Sequence, residues 1–435
     1  MSLAEPGEWP RLNIELINTG SELMLGRVLN RHQQWLCRQL ADHGYVVGRQ
    51  TAVSDAAGDI RQVVGEALSR AQLVITTGGL GPTSDDLTRE AVADLFGVPL
   101  VEDTYTVARL EAWFAARNRT MPERVRIQAM VPKGAEVWAN EHGTAPGLAI
   151  PAPSAGVGPS TPPWLVMLPG PTRELHPMVR EQLLPWLRHR FPSAAPYVSV
   201  TLRSIAVPES VMQERIEPAL GPWIARGLEV GYCAHPGEVD VRLAARGHEA
   251  RAIVRAGEDV VRERVGTHIY GTEDETLEQA VVGLLAHQGR TVAVAESCTG
   301  GRLASRITDV PGASAVFVGG VVSYSNALKE GLLGVSPVTL ATHGAVSEAV
   351  AREMAAGARS RLDADFALAI TGIAGPAGGT ADKPVGTVFI ALAEAGGVAV
   401  VRHLNRFERE VFKHMTSQQA LEMLRQRLLP GSPTP

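Results

Sequence analysis

Short apolar segments that run straight into a turn, and from there into a helically spaced apolar repeat, recur along this chain, and that rhythm leaves few folds open. Residues 12–17 read as a strand ending in Asn18, Thr19, Gly20, Ser21 and Glu22, after which Leu29, Leu36 and Leu40 mark one face of a helix. Ile60, Val63, Val64, Ala67, Leu68 and Ala71 again fall at helical spacing, and Leu73 to Thr77 is a compact apolar strand closed by Gly78 and Gly79. Strand, helix, strand in this order implies right-handed crossovers and a doubly wound α/β domain with a mostly parallel sheet. Such sheets bind ligands outside their strand C-termini, here the turns Thr19–Glu22 and Gly78–Asp86.

The second turn, TTGGLGPTSDDLTRE, carries its own chemistry. Gly78, Gly79 and Gly81 let a phosphate approach the backbone, and Asp85 and Asp86 are candidate ligands of a divalent cation. It matches neither a Walker A loop nor a dinucleotide fingerprint, and a helix cap at Ser84 or Asp85 beside a tight glycine turn explains the pattern equally well. Another glycine loop, Gly143 to Gly147, follows a short strand near Val137. The stretch 151–163 is too rich in proline to pair regularly and reads as a flexible surface insertion. Trp164 to Leu168 is the next strand, and PGPTRE places Arg173 at a further strand end, suited to a diphosphate beside Asp85 and Asp86.

From about residue 176 the order becomes strand 197–207, helix 210–220, strands 228–234 and 239–245, and helix 249–266, a small split βαββα domain. Its order is similar to a KH-type module, yet no GxxG loop lies between Pro177 and Thr272, so we read a spacer or dimerisation domain in preference to a nucleic-acid binder.

In the last third, Leu277, Ala280, Val281, Leu284 and Leu285 mark an amphipathic helix that leads into TVAVAESCTGGRLA. Val292 and Val294 alternate with alanines in a buried strand, a helix begins after Gly300 and Gly301, and Ser297 sits on the corner between them. There its hydroxyl faces the free N–H groups of the next helix, where an oxyanion or phosphate is stabilised; a plain helix cap by Ser297 or Thr299 is the competing account. An apolar strand Ala315 to Val322 follows, then Tyr324, Ser325, Asn326 and Lys329, then HGAVSE with Ser347 as a cap. The strand Asp365 to Ile370 ends in TGIAGPAGGTADKPVG, whose glycines exceed what packing requires and bring Thr371, Gly372, Gly375, Gly378 and Gly379 to the sheet edge of Ser297. Strands near 387–393 and 398–404 and a helix from about 410 close the domain.

At 435 residues, 45% hydrophobic and 20% charged, the chain is long enough for several cores, and a net charge of -5 gives no general attraction to nucleic acid or anionic membrane. No basic and apolar leader and no run of roughly 20 apolar residues is present, so a cytoplasmic location is expected. The three cysteines, Cys37, Cys233 and Cys298, are far apart and read as free thiols.

The set AESCTGG, YSNxxK, HGAVSE and TGIAGPxGGTxxKPVG resembles the nicotinamide-nucleotide amidase domain of the competence/damage-inducible CinA family. NTGSELxLG, TTGGLGPTxDDLTRE, GTAPG and LPGPxREL resemble its molybdopterin-binding-like domain, so that the resemblance spans residues 11–430 with the motifs in family order. It implies three parts: residues 11–175 with ADP-ribose pyrophosphatase activity, a KH-like connector at 176–272, and at 273–430 an α/β deamidase that converts nicotinamide mononucleotide to nicotinate mononucleotide and ammonia. Homodimers are implied as well. The chain departs from the family at Arg31 and His32, where Thr and Asn are usual, and at Phe407, Glu408, Arg409, where Gly, Asp, Arg is usual.

Amide hydrolysis needs a nucleophile, a base and oxyanion donors. Ser297 and Lys329 supply the first two if burial beside strand 315–322 makes the lysine partly neutral, with Tyr324 to orient or relay the proton and Thr371 to bind the carboxamide or oxyanion. Cys298 is the rival nucleophile, though its side chain points away if Ser297 points in. Thr299, Gly300, Gly301, Asn326, Gly372, Gly375, Lys383 and Arg409 are expected to bind the nucleotide, with Lys383 and Arg409 on its phosphate. In the N-terminal domain Gly78, Gly79, Gly81 and Arg173 take the diphosphate, and Glu22, Asp85 and Asp86 hold a divalent metal; the deamidase site needs no cofactor. Two alternatives stay open: an N-terminal domain that only binds a nucleotide or pterin, and an adaptor without turnover.

Overall fold

The structure is a computed structural model, which describes residues 12–153, 162–192 and 196–431. These divide into two compact units, one running to Val198 together with Arg246–His248, the other comprising Ser199–Ala245 and everything from Glu249 onward. Most of the 151–163 insertion lies outside the described residues.

In the first unit, six strands lie in the order Val47–Val53, Ile14–Thr19, Leu73–Thr77, Trp164–Leu168, Gly147–Pro151, Glu136–Trp138. The first four are mutually parallel, Gly147–Pro151 runs antiparallel to Trp164–Leu168, and Glu136–Trp138 antiparallel to Gly147–Pro151. Alternate residues of Ile14–Thr19 face opposite layers: Ile14 and Leu16 pack with Leu36 and Leu40, while Ile17 packs with Ile60 and Val64. The chain leaves this strand to a neighbour on one side and next to one on the other, so the strand order reverses at the C-terminal ends of Ile14–Thr19 and Leu73–Thr77.

Three local readings change. Leu29 is not on the helix face of Leu36 and Leu40, because that helix starts at Arg31, after its cap Asn30 accepts from the Gln33 amide; Leu29 precedes the cap and is 79% exposed. Ala71 follows the helix Ala57–Leu68 and is buried beyond its end. Between 97 and 135, the pair Leu100–Glu102 and Met130–Pro132 closes off a helix at Thr104–Ala115 that the periodicity did not single out.

The second unit opens with a four-stranded sheet ordered Glu229–His235, Glu238–Arg246, Tyr197–Ile205, Ile269–Thr272, with helices Glu209–Ile224 and Ala250–Val265. The final strand extends the expected βαββα order by one element. A five-stranded sheet follows, ordered Phe317–Val322, Val292–Glu296, Phe366–Gly372, Thr387–Glu394, Gly397–Leu404; its first three strands are parallel and the remainder antiparallel. The strand expected from Ala315 begins at Phe317, because a 3-10 turn takes up Ala313–Ala315. Val292 and Val294 pack under the helices Leu277–Gln288, Arg302–Thr308 and Arg409–Leu428, through Val281, Leu303 and Leu421 among others. Ala293 and Ala295 face the opposite layer, where small side chains let the helices Asn326–Leu333 and Glu348–Arg361 approach closely. Here too the strand order reverses about one strand, Val292–Glu296, and the crevice it creates lies beyond Glu296.

Candidate functional site

Glu296 is in register with Val322 on one side and Ile370 on the other. The next residues on the three parallel strands are therefore Ser297, Ser323 and Thr371. The ladder continues to this point, with the Ser323 amide donating to Glu296 O and the Ser297 amide to Ile370 O. By alternation Ser297 shares the face of Ala293 and Ala295, and Thr371 that of Ala367 and Ala369, all toward the layer that contains the helix Asn326–Leu333.

Ser325 caps that helix by accepting from the Leu328 amide, and one turn on, Lys329 points inward. Lys329 is 1% exposed and Ser297 9%. The lysine Nζ lies 3.1 Å from Ser297 Oγ and 2.6 Å from Ser323 O, and among the described residues no carboxylate pairs with it. Burial lowers its pKa from the ordinary lysine value. Cys298 points to the opposite, apolar layer, where burial, helped by the nearby Glu296 charge, pushes its thiol up to about 12. A buried serine in contact with a desolvated lysine has the arrangement that a nucleophile and its base require, whereas the cysteine stays a thiol at neutral pH.

Two expectations about this corner are corrected. The amides at the start of the next helix are not free, because the Glu296 carboxylate, itself 1% exposed, accepts from Gly301, Leu303 and Ala304 at 3.1, 3.1 and 2.8 Å. A carboxylate is the natural occupant of a helix N-terminus, so an oxyanion needs other donors. The Cys298 and Thr299 amides, which follow Ser297 directly, take no main-chain bond among the described residues. The glycines of the loop after Ile370, moreover, do answer to packing. A Cβ on Gly372 would sit 2.9 Å from Thr387 O, on Gly375 2.6 Å from a Val385 methyl and on Gly379 2.7 Å from the Val385 amide. Gly300 and Gly301 adopt φ of +61° and +91°, which few other residues tolerate.

Tyr324 does not stand between Ser297 and Lys329, which touch directly. It is 61% exposed, and its hydroxyl accepts from Arg409 Nη2 at 3.1 Å while Arg409 Nη1 donates to Gly375 O at 2.9 Å. Arg409 thus ties together the loops that follow two of the site strands, with its remaining edge exposed. Lys383 donates to His343 O at 2.8 Å, and Asn326 is exposed at the first turn of the lysine helix. Thr371 donates to Ala345 O at 2.7 Å, which leaves its oxygen lone pairs toward the site. Thr299 Oγ1 and Ser323 Oγ are buried and, among the described residues, without a partner.

In the first unit the turns Gly78–Asp86 and Gly170–Thr172 meet. The Gly78 amide donates to Leu168 O, and a Cβ on Gly170 would touch Gly78 Cα at 3.6 Å. A Cβ on Gly78, Gly79 or Gly81 would collide with Thr19, Thr88 or Asp86 respectively, so these glycines are compelled by the turn itself. Arg89, 1% exposed, holds it from beneath by donating to Leu80 O and Gly81 O. Asn18 donates to Thr77 Oγ1 at 2.6 Å across the strand ends. Arg31 is exposed, and burial lowers the pKa of His32. Arg173 is exposed at the first turn of the helix Thr172–Met178, 3.7 Å from Glu174.

The carboxylates do not form the expected ligand set. Asp86 accepts from the Thr83 amide and hydroxyl, a hydrogen bond from Thr83 holds Asp85 below the usual carboxylate range, and Glu22 folds back over Gly20. Among the described residues no group of three or more His, Cys, Asp or Glu side chains is close enough to hold a metal ion. Sequence reasoning missed Glu296, Ser323 and Arg89. Glu296 and Arg89 stood inside recognised motifs, and Ser323 stood next to one; what marks them is burial, which a motif does not display.

Comparison with known proteins places the chain in a family. Residues 15–189 match the probable molybdopterin binding domain, residues 199–271 the damage-inducible protein CinA KH domain, and residues 274–428 the CinA C-terminal domain. The chain is 47% identical over 391 residues to a putative competence-damage inducible protein of Symbiobacterium thermophilum, covering 88% of each. It is 43% identical over 412 residues to a CinA-like protein of Akkermansia muciniphila, covering 94% of this chain and 96% of that one. A crystal structure of a competence/damage inducible protein from Agrobacterium tumefaciens is 44% identical, covers 34% of this chain and 91% of its own, and has a TM-score of 0.33. Among the described residues no helix is long and apolar enough to cross a membrane. With matches of this identity over nearly its whole length, the chain belongs to the CinA family of competence/damage-inducible proteins.

Proposed function

We propose that the C-terminal domain hydrolyses the carboxamide of nicotinamide mononucleotide to nicotinate mononucleotide and ammonia. The observation that carries this reading is the buried contact of Lys329 Nζ with Ser297 Oγ at 3.1 Å. In the neutral amine one N–H stays on Ser323 O, which leaves the lone pair to receive the Ser297 proton as Oγ attacks the carboxamide carbon. The Cys298 and Thr299 amides are the groups available to the oxyanion, the Thr371 lone pairs to the carboxamide N–H, and Arg409 and Lys383 to the nucleotide phosphate. Purified protein incubated with nicotinamide mononucleotide should release ammonia. Ser297→Ala should lose that release by about 1000-fold while Cys298→Ala keeps most of it; turnover by the Ser297→Ala protein at the parental rate sinks the assignment.

For the N-terminal domain we propose cleavage of ADP-ribose to AMP and ribose 5-phosphate at the Gly78–Asp86 turn. Its position where the strand order reverses, and the side-chain-free backbone of Gly78 and Gly79, support a diphosphate site. Because the three carboxylates are not assembled into a metal site, no step is assigned to a metal; a cation would have to arrive on the diphosphate, with Asp85 or Asp86 completing its shell. Cleavage should then stop in EDTA and in Asp86→Asn. The same dispersal of carboxylates favours a second reading, a domain that binds a nucleotide or pterin without turnover, and AMP release separates the two. The proposal includes a cytoplasmic homodimer, which light scattering checks in its oligomeric part.

A further inference from the structure

Ser323 has a buried hydroxyl for which the two-residue scheme has no use. The residue is fully buried, its Oγ has no hydrogen-bond partner among the described residues, and it lies at the end of the strand beside Ser297, one register step past the Glu296 and Val322 pair. An unsatisfied buried hydroxyl costs roughly 1–3 kcal/mol, so its retention calls for a reason. Val321, two residues before it, packs in the same layer as Ala293 and Ala295, so Ser323 shares the sheet face of Ser297 and Lys329. Its own carbonyl is 2.6 Å from Lys329 Nζ, and its hydroxyl, unpartnered among the described residues, reaches the amine by rotation about its Cα–Cβ bond.

A carboxamide raises a demand that an ester does not. When the tetrahedral intermediate collapses, nitrogen departs only as ammonia and needs a proton at that moment. Lys329 has just taken the Ser297 proton, and with Ser297 Oγ and Ser323 O on two of its three N–H groups it has one left to pass on. Resting on the amidase reading above, we propose that Ser323 is a further catalytic residue that passes this proton to the leaving nitrogen. Its oxygen accepts a proton from the Lys329 ammonium while its own proton moves to the amide nitrogen. The C–N bond breaks, the oxyanion electron pair re-forms the carbonyl, and ammonia leaves behind a Ser297 ester and a neutral Lys329. Water then attacks the ester, giving one proton to Lys329, which returns it to Ser297 Oγ as the carboxylic acid leaves and gives its remaining proton to solvent. Ser323 ends each cycle as it began.

The test compares two leaving groups on one nucleotide, the amide and a para-nitrophenyl ester, whose phenolate departs without a proton. Ser323→Ala keeps the backbone carbonyl that holds Lys329. It should lower kcat on the amide by roughly 100-fold with KM unchanged, and leave ester turnover within about twofold of the parent. Ser323→Thr, which restores a hydroxyl, should recover most amide turnover. Parental amide turnover in Ser323→Ala overturns the proposal, as does an equal loss on amide and ester, which would mean that Ser323 only positions its neighbours. Ser297→Ala run alongside keeps the two readings apart: if it still turns over the amide, the amidase mechanism itself fails and this step with it.

Discussion

The properties of Lys329 follow from what surrounds it. It is held by a hydroxyl and a carbonyl, with no carboxylate among the described residues paired to its charged form, and burial lowers its pKa. A base acts only when neutral, so kcat/KM on the amide should rise with pH and reach half its plateau below the ordinary lysine value of about 10.4. Lys329→Ala should lower kcat by roughly 100-fold with little change in KM, whereas Arg409→Ala, which removes an exposed cation from the proposed phosphate contact, should mainly raise KM. Measuring both parameters from pH 6 to 9 separates them; a Lys329→Ala protein with raised KM and constant kcat would make lysine the phosphate clamp and send the search for the base to His343.

At the scale of elements, the site depends on how one short strand is stopped. Glu296 ends the strand Val292–Glu296 and takes three amides of the helix that follows, fixing the turn on which Ser297 stands. In Glu296→Gln an amide NH2 would face N–H donors in a dry setting. We expect a loss of about 1–3 kcal/mol in stability, measured as a fall in the denaturant midpoint, even though no atom is removed from the nucleophile or base. The strands and turns around this corner were legible in the sequence because Val and Ala alternate through a buried segment and glycines follow it. Lys329 was legible as chemistry through its motif. The role of Glu296 was not, since a carboxylate at a strand end ordinarily reads as exposed, and only the packing of Leu303 and Ile307 above it creates the enclosed space that it fills. Leu29 failed in the opposite sense: its spacing fits a helix, but the cap at Asn30 decides where that helix begins. The dispersal of Glu22, Asp85 and Asp86 was equally invisible, because Thr83 competes for the aspartates within the same turn.

At the scale of the molecule, each candidate site is built within one unit, from strand ends where the order of a parallel sheet reverses. Ser297→Ala should therefore abolish ammonia release while leaving any ADP-ribose cleavage at the parental rate, and Asp86→Asn should do the converse; a loss of both activities in either variant would contradict separate sites. The buried lysine also bears on how the second unit comes into being. In the unfolded chain its amine titrates at the ordinary value, and in the native protein at a lower one, so between the two the unfolded state carries more protons. The penalty on the fold is complete below the native value and vanishes as pH rises through the unfolded one, so this residue makes the native state more favourable with increasing alkalinity. Each molecule that folds within that window expels a hydrogen ion into the medium, and the heat of its unfolding then includes the ionisation heat of whichever buffer supplies that ion.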